Sequence, residues 1–419
     1  MSTINGMFVI LKRRHRTSPA EPGFCSGGSG GRSSAVPTGP GDVLDLIRHG
    51  RATTRGDVLD ATGLSRMTIS QRLDALLAAG MIVEGQTNEA TGGRRRRSLA
   101  FNTSQSHVLV VAIDTTHTRI AVTDLGGAVL VEDSLDVPVT AGPSEVLDRI
   151  VQAIGAVLRK QDLSPTDLCG LGLSLPGPVD PVSGLPSQPP MLPGWDAYPV
   201  AEHLQPALPG VPVLTANDAD AEAMGEYAAG NTHVKTLCLV KVSTGIGTGI
   251  VIGGRSYTGV DGGAGDIGHV RVSPRSEARC ECGMQGCLAA VASGRAVAAE
   301  LRSLGFEASS GRDVRTLLRA GEPEAARLTQ AAGKRIGEVM ATMVCLLNPE
   351  VVLVGGALAS APLLAGMRET LYRLALPRAT RHMALHLGSL GDDAAVAGLT
   401  RLVVDQEFSP GTVNARLRT

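Results

Sequence analysis

Between Asp42 and Asn102 the apolar positions follow a fixed succession of periods. Val43, Leu44 and Ile47 recur at helical spacing, and Arg55 to Ala61 reads as a second helix closed by Gly63. A third runs from Leu64 to Leu77, where Ser65 is a natural N-cap and Ile69, Leu73 and Leu76 share one inward face. After Gly80, Met81–Glu84 and Arg94–Phe101 read as two short strands around a basic loop. Three helices followed by a two-stranded hairpin predict a winged helix-turn-helix over residues 42–102. From Val108 onward the pattern is α/β. Val108–Asp114, Arg119–Leu125 and Val129–Ser134 predict three strands joined by tight turns, and a similar block recurs at Leu237–Val242, Gly249–Gly253 and Arg255–Gly259. Each block leads into helical sequence. Residues 106–405 are therefore expected to form two lobes with a boundary near residue 230, on an actin-like, ribonuclease H-like plan. The ends lack this periodicity. Residues 18–41 are rich in Gly, Ser and Pro, so a disordered tail is expected over 1–41, and a second tail over 406–419.

Composition changes this picture in two ways. Hydrophobic residues make up 43% of the chain but aromatics only 2%, so the core must be built from Ala, Val, Leu and Ile. The net charge of −1 conceals a split: residues 1–100 hold 14 Lys+Arg against 8 Asp+Glu, and the remainder holds 25 against 32. A basic head on an acidic body fits a nucleic-acid-binding module joined to something else. The seven cysteines (Cys25, Cys169, Cys238, Cys280, Cys282, Cys287 and Cys345) are odd in number and no export signal accompanies them, which argues against a disulfide framework. No apolar run is long enough for a membrane span. A cytoplasmic protein with reduced thiols is expected.

Candidate chemistry concentrates in a few segments. A helix entering the major groove of double-stranded DNA must expose short polar and basic side chains near its N-terminus. Arg66 and Gln71 suit base edges, and Ser65, Thr68 and Ser70 suit phosphate oxygens. In the hairpin, Gly92 and Gly93 precede Arg94, Arg95, Arg96 and Arg97, a loop suited to phosphates or a narrow minor groove. The alternative is a solvated arginine run on a protein-interaction module. Farther on, His269 precedes Cys280, Cys282 and Cys287. That Cys₃His set is one tetrahedral zinc prefers, against the alternative of buried free thiols. With four protein ligands such a metal is structural. Ser243–Gly249 reads equally as a turn offering backbone N–H groups to phosphate or as a plain β-turn. Asn217 and Asp218 follow an apolar strand, where polar groups can meet a sugar hydroxyl.

Taken together, these residues resemble the ROK family of repressors, open reading frames and kinases. The resemblance rests on Gly245–Gly268, with Gly262, Gly263 and Gly265 before Asp266-Ile267-Gly268-His269, and on the cysteine cluster that follows. Leu175–Val179, Pro190–Trp195 and Val354–Gly356 also match family segments. It covers about residues 41–405 and implies a sugar-kinase fold for the body. A winged helix ahead of such a body resembles the family's xylose and N-acetylglucosamine repressors. That likeness implies a homodimer or homotetramer on an inverted-repeat operator, switched by a sugar. The resemblance makes Asn217, Asp218, Asp266 and His269 sugar ligands, Asp218 also the kinases' catalytic base, and His269 a residue shared by zinc and sugar. Three departures bear on activity. The kinases' Asp-x-Gly-Gly-Thr phosphate loop reads Asp114-Thr115-Thr116-His117-Thr118, the usual glutamate before Ile-Gly-His is Asp266, and that after the last cysteine is Ala289. The expectation is a non-enzymatic regulator. The alternatives are an active sugar kinase with an accessory head and a ligand-independent DNA-binding protein.

Overall fold

Short polar residues set the helix boundaries of the head. In the computed structural model, which describes residues 39–86, 97–189, 192–272 and 277–418, α1 spans Pro40–Arg48, α2 Arg55–Thr62 and α3 Arg66–Ala78. The Thr54 hydroxyl accepts from the Asp57 N–H to start α2, and Gly63 ends it at a φ of 66° that few side chains tolerate. Ser65 caps α3, its Oγ accepting from the Thr68 N–H at 3.1 Å. Strands β1 (Ile82–Gln86) and β2 (Arg97–Phe101) pair antiparallel, Ile82 opposite Phe101. Residues 1–38, and Arg94, Arg95 and Arg96 of the hairpin loop, lie outside the described residues. Pro40 and Gly41, expected in the tail, already belong to α1.

The body repeats one topology twice. The first sheet is built from β3 (His107–Ile113), β4 (Thr118–Asp124), β5 (Val129–Leu135), β6 (Leu168–Leu175) and β7 (Val213–Asn217), in the order β5-β4-β3-β6-β7. Helices α4 (Pro143–Lys160) and α5 (Val200–Leu204) connect its later strands, and α6 (Asp218–Gly230) springs directly from β7. The second contains β8 (Thr236–Val242), β9 (Ile246–Ile252), β10 (Arg255–Ser256), β11 (Val351–Gly355) and β12 (Ala384–Leu387), in the order β10-β9-β8-β11-β12. In each, an antiparallel meander is extended by two parallel strands. The inner strands are buried on both faces, hence continuous apolar runs such as Val351–Val354. Helices α7 (Leu288–Ala292), α8 (Gly294–Ser303), α9 (Gly311–Arg319), α10 (Pro323–Leu347), α11 (Ala361–Leu374) and α12 (Pro377–Thr380) complete the second lobe. This doubled meander is the actin-like plan expected, except that the strand anticipated over Arg255–Gly259 is only two residues long.

Two helices correct the expected domain layout. Helix α13 (Ala394–Glu407) follows the second lobe in sequence but packs on β3, β6 and α6 of the first. Gly225 and Gly398 let α6 and α13 approach at backbone distance, since a Cβ on Gly398 would overlap the Ala221 carbonyl oxygen. Residues 406–419 do not form a free tail. Pro410–Arg416 is helix α14, packed against α1, where the Asn414 Oδ1 accepts from the Gly41 N–H at 2.8 Å. Phe408 meets Phe101 edge-on at 5.2 Å, and Arg48 pairs with Asp405 at 2.6 Å. Val43, Leu44, Leu73 and Leu76 of the head share one buried cluster with Val108, Leu399, Val404 and Val413 of the body. The head is therefore welded to the first lobe and does not hang on a linker.

Candidate functional site

A cleft of about 750 Å³ opens between the lobes, lined among others by Asn217, Asp218, Asp266 and His269. Asn217 ends β7 and caps α6: its Oδ1 accepts from the Ala219 and Asp220 N–H groups, and its Nδ2 donates to the Gly177 carbonyl at 2.9 Å. The cap aims the first residue of α6, Asp218, into the cleft. Ala289 occupies the wall where the family resemblance led one to expect a glutamate.

The sequence reading missed the centre of this site. Lys241, near the end of β8, places its Nζ 2.8 Å from Asp218 Oδ2 and 2.7 Å from Glu222 Oε1. Lys241 and Glu222 are buried, and Asp218 is half-buried at the cleft wall. Burial raises the Asp218 carboxyl above its ordinary value, and Lys241 offsets only part of that rise. Glu222 is pushed up to about 7 by burial, against the same pull. The carboxylates outweigh the burial of Lys241 and hold its ammonium well above the usual lysine range. Burial would also raise Asp114, but Lys241, the Thr115 N–H, His117 and Arg312 bring it below its ordinary value. One lysine in an apolar strand carries no periodicity signal, so only the folded topology shows its partners.

At the turn after β3, side chains from both lobes meet. Thr115 Oγ1 lies 2.7 Å from Thr244 Oγ1 across the lobes, and Arg312 on α9 donates to His117 Nε2. Burial lowers the His117 pKa, consistent with a neutral ring accepting from arginine. The Ser243–Gly249 segment is mostly strand: β9 begins at Ile246, and Gly249 serves close packing on α6. Only residues 243–245 turn. There the Ser243 Oγ accepts from the Ala357 N–H at 3.0 Å.

Beside the cleft, His269 converges with Cys280, Cys282 and Cys287, their ligand atoms all within 4.8 Å of one another. Cys280 Sγ is 3.5 Å from His269 Nδ1, and Cys282 Sγ is 3.7 Å from Cys287 Sγ. A tetrahedron with metal–sulfur bonds of about 2.3 Å has edges of about 3.8 Å, so this donor set fits a metal ion. Gly283 and Gly286, at φ of 86° and 72°, turn the chain round it.

On the head, Ser65, Arg66 and Gln71 are exposed on α3, beside a Met67 that is 75% exposed. The Ser65 and Thr68 hydroxyls lie 2.8 Å apart within the cap, and Ser70 donates to Asp74 at 3.3 Å. Arg97 lies in strand β2, not in the loop, and pairs with Glu84, as does Arg55. No helix among the described residues is long and apolar enough to cross a membrane.

Proteins similar to this chain include both repressors and kinases. The xylose repressor of Bacillus subtilis (strain 168) is 26% identical over 367 residues, covering 87% of this chain and 94% of its own length. That coverage exceeds what residues 106–419 alone could supply, so the likeness reaches into the head. The glucokinase of Halalkalibacterium halodurans (strain C-125) is 30% identical over 318 residues, covering 71% of this chain and 96% of the kinase. Among solved structures, a ROK family transcriptional regulator described as a homologue of the Escherichia coli MLC protein superposes with a TM-score of 0.76 at 26% identity. It covers 90% of this chain and 98% of its own. The sequence pattern described as "ROK family" matches residues 108–406. This chain belongs to the ROK family.

Proposed function

We propose that this chain is a sequence-specific, DNA-binding regulator of carbohydrate metabolism, a repressor by its kinship, that a sugar or sugar derivative switches and that transfers no phosphate. The observation that carries this reading is the joint one of an exposed α3 face fused through a common core to a kinase-like body whose turn after β3 reads Asp114-Thr115-Thr116-His117-Thr118, without glycine. Arg66 and Gln71 read base edges, while Ser65, Thr68, Ser70 and the arginines 94–97 meet phosphates. A homodimer or homotetramer presents paired heads to an inverted repeat in cytoplasmic DNA.

Asn217, Asp218, Asp266 and His269 form the polar floor for the sugar. Zinc on His269, Cys280, Cys282 and Cys287 is structural when bound. With Nδ1 turned to the cysteines, the imidazole keeps its orientation and offers Nε2 to the cleft. Thr116 and His117 stand where family kinases carry the glycines of the phosphate loop, and His117 is engaged by Arg312, which argues against ATP.

A second reading, an ATP-dependent sugar kinase with an accessory head, draws on the glucokinase identity and on Asp218. A third, a regulator with an inert cleft, draws on Ala289. Selection of bound fragments from a random duplex library, with ATP consumption followed on a hexose panel, separates the first two, and operator affinity with and without each sugar separates the first from the third. The regulator enriches one inverted repeat and consumes no ATP above an Asp218→Asn control. Turnover above that control supports the kinase, and failure to enrich any sequence removes the DNA reading.

A further inference from the structure

Strand β8 is apolar from Leu237 to Val242 except for Lys241, which is only 8% exposed. The neighbouring strands are shaped around it. Lys241 lies opposite Gly247 on β9 and Gly355 on β11, so no side chain competes with it from either side. A Cβ on Gly355 would come within 3.0 Å of Glu222 Oε2, so the same glycine also makes room for the lysine's second partner. Asp218 and Glu222, four residues apart on α6, project side by side. A buried lysine costs several kcal/mol unless it is paired, and here two carboxylates from one helix turn meet it.

The other charges facing this pair are Asp114 from the end of β3, Asp220 on α6 and Asp266 beside His269. His117, Arg312 and Asp392 stand behind Asp114. This surplus of carboxylates would protonate at least one member if the lysine were absent, because like charges in a buried site cannot all ionise.

We propose that Lys241 is the positioning residue of the cleft: its ammonium fixes the Asp218 carboxylate as an ionised acceptor for a sugar hydroxyl and denies it the role of proton acceptor. This rests on the reading of the cleft as a sugar site. It accounts for a chain that keeps the aspartate without the phosphate-loop glycines, since a carboxylate held by an ammonium still accepts a hydrogen bond but is a weaker base than the same buried carboxylate without it.

The test uses full-length, zinc-replete protein without ligand. Infrared difference spectra against Asp218→Asn assign the Asp218 carboxyl band, which is then compared between wild type and Lys241→Met. The expected result is an ionised Asp218 at pH 7 in wild type and a protonated one in Lys241→Met. An identical band in both overturns the proposal. If Lys241→Met fails to fold, the double variant Lys241→Met/Glu222→Gln removes a cation and a carboxylate together, and the same band decides. Calorimetry with a panel of hexoses, pentoses and amino sugars supplies a second arm. Lys241→Met should weaken the tightest-binding sugar at least tenfold at pH 7, and unchanged affinity also overturns the proposal. A wild-type protein that binds no sugar sinks the sugar reading, while the infrared result still decides on Lys241.

Discussion

His269 belongs to two neighbourhoods, with Nδ1 toward Cys280 and the ring on the cleft wall. Zinc there would fix the imidazole as well as the loop, so metal loss should reach the effector site. We predict about one zinc per chain in freshly purified, reduced protein. Cys282→Ser should lose the metal and lower the melting temperature broadly, because metal affinity in a closed site is also folding free energy. Elemental analysis without zinc would contradict this. A second residue-scale prediction concerns Asp220, 5% exposed, whose Oδ1 has no hydrogen-bond partner and whose carboxyl burial pushes up to about 7. The folded state keeps this proton up to about pH 7, whereas the unfolded chain releases it near its ordinary value of 3.8. Stability from this group is thus complete at low pH and lost as pH rises through 7. Asp220→Asn should therefore stabilise the protein at pH 8 by on the order of 1–3 kcal/mol and flatten the decline between pH 4 and 7. A denaturation series in which the variant is no more stable at pH 8 would disprove the burial argument. The metal ligands were legible in the sequence because three of them lie within eight residues. Asp220, Glu222 and Lys241 were not, because their roles depend on which strand α6 covers.

Among the elements, α3 carries the DNA prediction. Arg66→Ala or Gln71→Ala should cost about 1–3 kcal/mol on the preferred site and relax discrimination at one position of each half-site. Neutralising Arg94 to Arg97 should weaken binding to all sequences and flatten the salt dependence. Anisotropy titrations from low to moderate salt check both, and an unchanged salt slope would end the phosphate role of the arginine loop. Arg97 should contribute less than its neighbours in sequence, because Glu84 already engages it. The helices of the head were readable from apolar spacing, caps and Gly63. Helix α14 was not: Pro410–Arg416 has a short apolar content that gains meaning only when Val413 and Asn414 meet α1. Four of the six meander strands were placed within a residue, but β9 starts three residues before the expected Gly249. Arg255–Gly259 fell short as a strand because little beyond Ser256 pairs with β9.

For the whole molecule, the decisive feature is the weld between head and first lobe. Helix α13 touches the effector side through α6 and the head through Arg48–Asp405 and Arg401–His49, so a movement of one lobe carries the head with it. A sugar touching both lobes would favour the closed cleft and alter the spacing of paired heads. Relieving operator binding tenfold needs only about 1.4 kcal/mol of coupling. The weld itself was not legible in the sequence, which reads as a head, a body and two tails. The measurement that tests the account most directly is operator affinity of the full-length, zinc-replete protein with and without each sugar of the panel at millimolar concentration. We predict at least a tenfold change with one sugar, abolished by Asn217→Ala or Asp266→Ala without loss of sugar-free DNA binding. Operator affinity unmoved by every sugar, in a protein that binds its inverted repeat, would contradict the account.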